Sequence, residues 1–80
     1  ALAEADGALA RGEYARAREL AASIARTYPK GQLALEREAI AIAARCGLRE
    51  PGAGPAALEF LRAHADAAVA TKVRARCPEQ

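Results

Sequence analysis

Alanine fills 24 of the 80 positions, and that bias limits what the chain can become more than any motif does. Alanine is the strongest helix former, and Arg, Glu and Leu, which supply much of the remainder, follow it closely. No stretch alternates apolar and polar residues in the manner of a half-buried strand. The expected fold class is therefore all-α. The same bias thins the core, because 52% of the chain is hydrophobic yet the bulky share is only eight Leu, three Ile, two Val, one Phe and two Tyr. A chain of this length allows one domain, residues 1–80, with a modest apolar interior. Such a domain needs a staple, a partner or neighbours from a parent protein.

Breakers divide the chain. Gly12, the run Tyr28-Pro29-Lys30-Gly31, the stretch from Gly47 to Pro55, and Ala65-Asp66 separate five segments, roughly 1–11, 13–28, 32–46, 55–64 and 67–77. Gly47 stands where a left-handed residue ends a helix, and Pro55 opens the next one in its first turn, where a missing N–H costs nothing. Asp66 is placed to cap the last helix. Lys72 and Arg76 suit the negative end of that helix as solvated charges. Apolar residues recur at three and four places: Tyr14, Ala17, Leu20, Ala21, Ile24 and Tyr28 in the second segment, and Leu35, Ala39, Ile42, Ala43 and Cys46 with Ile40 in the third. Leu58, Phe60 and Leu61 serve the fourth segment, and Val69 with Val73 the fifth. Small residues between large ones predict tight antiparallel pairs.

Composition excludes several functions. With one Ser, two Thr and one His, nucleophile and base pairs are almost absent, and no carboxylate is patterned as buried, so the chain does not read as an enzyme. Twelve basic residues stand against ten acidic ones with the signs interspersed, which gives no electrostatic footprint for a polyanion. Nucleic-acid binding through Arg62, Lys72, Arg74 and Arg76 lacks an aromatic platform, and Arg74 points away from its neighbours. No apolar run approaches the ~18 residues that a membrane span needs. Two motifs are decoys. "GAGPAA", Gly52 to Ala57, fits a dinucleotide-binding pattern without the preceding strand. His64 with Cys46 and Cys77 has neither the count nor the spacing of a zinc site. No cofactor and no metal are expected.

Gly12, Glu13, Tyr14, Ala17, Ile24 and Pro29 occupy the places at which the second helix of a tetratricopeptide repeat carries its turn glycine, acidic residue, aromatic lock, small residues and closing proline. The chain resembles that family across most of its length, though Ala65 stands where a second proline would, and the loop before Pro55 is long. "FLRAHADAAVATKVRARC" resembles the closing helices of periplasmic repeat proteins of bacteria. The resemblance implies a two-repeat array of antiparallel helix pairs with a C-terminal capping helix. It also implies an inner surface lined by the first and third helices, where Glu4, Ala8, Arg11, Arg37, Ala41 and Arg45 lie. Arg37, Ala41 and Arg45 share one face at spacing four, and the two arginines there suit a carboxylate.

Each cysteine closes a helix. If the helices alternate in direction, the third and fifth run parallel and bring Cys46 and Cys77 to the same end, while His64 goes to the other. A disulfide is the expectation, and two buried free thiols are the alternative. A bridge implies an oxidising compartment, hence a periplasmic or otherwise extracytoplasmic location. Ten Arg against two Lys, with so much Ala, is the usage of a GC-rich bacterial genome. The chain opens on neither Met nor a basic-then-apolar leader, and it reads as a segment of a longer protein. The expected function is a protein–protein interaction or scaffold module of a bacterial envelope protein, its partner a protein or peptide or the rest of its own chain. The alternative is a structural oligomerisation segment, or part of a longer solenoid, in which Leu2, Ala5 and Leu9 of the first helix would be left exposed.

Overall fold

A computed structural model describes residues 2–27 and 33–77. Five helices carry them: α1 (Leu2–Ala10), α2 (Tyr14–Thr27), α3 (Ala34–Gly47), α4 (Ala53–Ala63) and α5 (Ala70–Arg76), with no strand among the described residues. The all-α reading holds. Tyr28, Pro78 and Pro29, the closing proline of the repeat signature, lie outside the described residues.

α3 is the axis of the molecule and packs against each of the other four helices. Two separate apolar faces on one helix make this arrangement work. Ile40, Ala43 and Ala44 meet Ala5, Ala8 and Leu9 of α1 and Ala17 and Ala21 of α2, with Leu2, Tyr14, Leu20 and Ile24 packed around them. Ala39 and Ile42 meet Ala57 and Phe60 of α4 and Val73 and Cys77 on the α5 side, with Leu35, Cys46, Leu61 and Val69 at the margin. The single stripe expected on α3 is thus two stripes, roughly 130° apart at 100° per residue. Alanines make both contacts close. Ala5, Ala8, Ala17, Ala39, Ala43, Ala44 and Ala70 have no exposed surface at all, and their short side chains let neighbouring helix axes approach.

Direction follows from which ends touch. An added Cβ on Gly47, at the end of α3, would lie 2.6 Å from the ring of Tyr14, at the start of α2, so α2 and α3 run antiparallel. Cys46 and Cys77 form a disulfide with Cα atoms 5.2 Å apart, so α3 and α5 end together. α1 ends there too, because Arg76 Nη2 donates to the carbonyl oxygen of Leu9 at 3.3 Å and Lys72 Nζ reaches Asp6 at 2.9 Å. Lys72 and Arg76 are therefore not solvated charges on their own helix. Both reach across to α1, where Arg76 offers a cation to the negative end of that helix.

The helix ends differ from expectation in three places. α1 closes on Gly12, at φ 79°, with Glu13 N–H on the Ala8 carbonyl at 2.9 Å and Gly12 N–H on the Leu9 carbonyl at 3.1 Å. That is the Schellman pattern, and a glycine serves it as the sequence suggested. α3 repeats the pattern without one. Glu50 and Arg49 donate to Arg45 and Cys46, each at 3.0 Å, and the left-handed residue is Arg49 at φ 59°. Gly47 is the last helical residue, and its missing Cβ makes room for Tyr14. α4 starts at Ala53, two residues earlier than expected, because Ala53 N–H finds the Glu50 carbonyl at 3.1 Å and Pro55 still falls within the first turn. α5 starts at Ala70, three residues later than expected. Tight i→i+3 bonds carry Ala67, Ala70, Thr71 and Lys72, and the residue preceding α5 is Val69, with no side-chain cap from Asp66. Leu58 also departs from its expected burial, being 45% exposed. It lies on the outward face of α4, whereas Phe60 and Ala57 face inward.

Candidate interaction surface

Packing α3 on two sides leaves a third. Ala34, Arg37, Glu38, Ala41 and Arg45 share that side, between α2 and α4, and they form the floor of two adjoining grooves. One groove, of about 420 Å³, is walled by Arg18, Ala21, Ala22 and Ala25 of α2. The other, of about 340 Å³, is walled by Ala56, Glu59, Phe60 and Ala63 of α4 with His64 beyond it. Glu38 and Ala41 belong to both. Alanine makes these surfaces concave, since flanking helices bearing bulkier side chains would fill the space between them.

Of the residues expected to bind a partner, three are brought together and three are not. Arg37, Ala41 and Arg45 lie on the groove floor. Glu4 of α1 pairs with Arg16 at 2.8 Å, and Arg11 pairs with Glu13 at 3.2 Å. Arg16 and Arg18 point about 160° apart on α2, so Glu4 lies on the α1 side of that helix and the grooves lie on the other. Ala8 is wholly buried. A single inner surface shared by α1 and α3 is not what forms, because α3 turns its middle alanines toward α1 and its arginines away.

The expected arginine clamp meets a carboxylate from its own chain. Arg45 Nε donates to Glu50 Oε1 at 3.2 Å, and Arg18 pairs with the other oxygen of Glu50. Glu50 sits just past the end of α3 and is placed by the same backbone bond that closes the helix. Its position is a consequence of the Arg49 turn, which spacing along the chain offers no means to foresee. The triad is partly exposed and stabilises modestly, but it ties α2 to the α3–α4 loop beside the groove. Arg11 and Glu13 are exposed, and the hydrogen bond from Arg11 draws the pKa of the Glu13 carboxyl below its ordinary value and raises that of Arg11.

The repeat-signature positions take mechanical parts. Gly12 makes the α1–α2 turn, Ala17 is buried against α1 and α3, Ile24 packs at the edge of that cluster, and the Tyr14 ring lies over Gly47. Tyr14 therefore locks α2 to α3 as well as flanking α1. His64 ends α4, with its ring centroid 5.0 Å from that of Phe60. The Gly52–Ala57 stretch is loop and helix start. No helix among the described residues is long and apolar enough to cross a membrane, and no group of metal-binding side chains occurs among them. Comparison of the chain with protein-family models, with curated proteins and with solved structures finds no match.

Proposed function

We propose that this protein is a protein–protein interaction module that presents the paired grooves over α3 to a peptide or a neighbouring domain. The carrying observation is the α3 floor, where Arg37, Glu38, Ala41 and Arg45 line the space between two alanine-walled flanks. Helical arrays bind through such faces without chemistry of their own. Support comes from the resemblance to tetratricopeptide repeats, since Gly12, Tyr14, Ala17 and Ile24 serve the turn and the helix contacts that the family asks of them. The disulfide favours an oxidising compartment and hence the bacterial periplasm. The oligomerisation reading loses its motive, because Ala5 and Leu9 are buried and Leu2 packs against them. Nucleic-acid binding loses cations in the same way: Arg74 Nη2 donates to the Ala65 carbonyl at 3.2 Å, and Lys72 and Arg76 serve α1.

The test is site-specific photo-crosslinking in the native host, with a photoreactive side chain at Ala22 or Glu59 in the grooves, or at exposed Ala75 on α5 as control. The groove positions should yield the same discrete adduct and Ala75 should not. Ala22→Trp, which fills the α2 flank, should abolish the adduct without moving the melting temperature. Equal adducts from all three positions would refute the reading.

A further inference from the structure

At the disulfide end of the molecule, on a different face from the grooves, a cleft of about 620 Å³ opens between the α3–α4 loop and the end of α5. That size suits a small organic ligand. Cys46, Cys77, Pro51, Ala53 and Pro55 give it apolar walls, and its charged groups are Arg49, Arg76 and Glu50. Glu50 is already neutralised by Arg18 and Arg45. The two remaining charges are both guanidiniums.

Neither guanidinium is matched by a carboxylate among the described residues. Arg49 makes no side-chain hydrogen bond or ion pair there, and it occupies the left-handed position that closes α3, where glycine would be less strained. Arg76 is held by a single bond from Nη2 to the Leu9 carbonyl, and its Nε–H is buried with no partner. The disulfide holds the two supporting segments together, so the cations keep their relation with or without a ligand.

We infer that this cleft binds the carboxylate of a small organic acid between Arg49 and Arg76, with the apolar body of the acid against Pro51, Ala53 and the disulfide. Guanidinium and carboxylate match in planar, charge-assisted pairs. The apolar walls favour an organic acid over a bare inorganic anion. This site is independent of the grooves, and its failure would leave the interaction reading untouched.

Titration of the oxidised protein with benzoate, and separately with inorganic phosphate at equal ionic strength, tests the assignment by amide and arginine-side-chain NMR. Benzoate should give saturable shifts confined to Arg49, Ala53, Gly54 and Arg76, with weaker response to phosphate. Arg49→Gln should weaken benzoate about tenfold, as loss of one charge-assisted bond implies. Arg49 has no structural partner to lose, so that variant tests the site even if Arg76→Gln, which releases α1, fails to fold. Shifts that do not saturate, that are unchanged in Arg49→Gln, or that are stronger with phosphate would overturn the inference.

Discussion

Opening the Cys46–Cys77 bond is the perturbation with the largest expected consequence. The bond joins residues 31 apart in sequence, and in the chain-entropy model a loop of that length removes about 12 cal/mol/K from the unfolded state, or about 3.7 kcal/mol at 25 °C. For a domain of this size each kcal/mol is worth roughly 4 to 8 °C. The expected loss is therefore about 15 to 30 °C, a large part of a total stability that is ordinarily ~5–15 kcal/mol. Packing adds little to the change if alanine is substituted, because the Cβ at position 77 still lies against Ile42 and Val73 in the second core. Circular-dichroism melts of the oxidised protein, of protein opened by dithiothreitol, and of Cys46→Ala, Cys77→Ala and the double variant decide the matter. All four opened forms should melt together, well below the oxidised form, because the lost constraint is one bond however it is broken. If thiol titration shows the bond open and the melt moves by less than about 5 °C, the restraint does not reside in the bond, and α5 is held by its packing on α3 and by Lys72 and Arg76.

Gly47→Ala should destabilise by about 1–2 kcal/mol, because overpacking against the Tyr14 ring costs ~1–3 kcal/mol and outweighs a helix-propensity gain of up to ~1 kcal/mol. In a Tyr14→Ala background the same change should become stabilising, and urea titrations of the two backgrounds that agree in sign would sink the contact. Arg49→Gly should raise the melting temperature by about 2 to 8 °C, since relief of a left-handed conformation worth ~1–2 kcal/mol exceeds the extra unfolded-state freedom of glycine, ~0.4–1 kcal/mol. A lower melting temperature in that variant would mean that the Arg49 side chain contributes to folding as well as lining the cleft.

The helical class, the five segments and the meeting of the two cysteines were legible from residue order, because each depends on local propensity and on which end of a helix a residue occupies. Alanine content sets the class, Gly12 the first turn, and the position of Cys46 and Cys77 at the ends of parallel helices their pairing. What the linear pattern could not separate were the two faces of α3: Ile40 and Ile42 are both apolar, and only the neighbours gathered around the helix assign one to α1 and α2 and the other to α4 and α5. The open third side, and hence the grooves, follows from that division. Gly47 shows the same limit at a single atom, since a glycine after a helical run reads as a cap whether its backbone is left-handed or its Cβ is merely unwelcome. Likewise Arg18, Arg45 and Glu50 are ordinary surface charges in sequence, and they become a triad only when the Arg49 turn carries Glu50 back to them. Propensity acts within a few residues and is written in their order, whereas a face, a clash or a charge partner is a relation between segments that exists only once they pack.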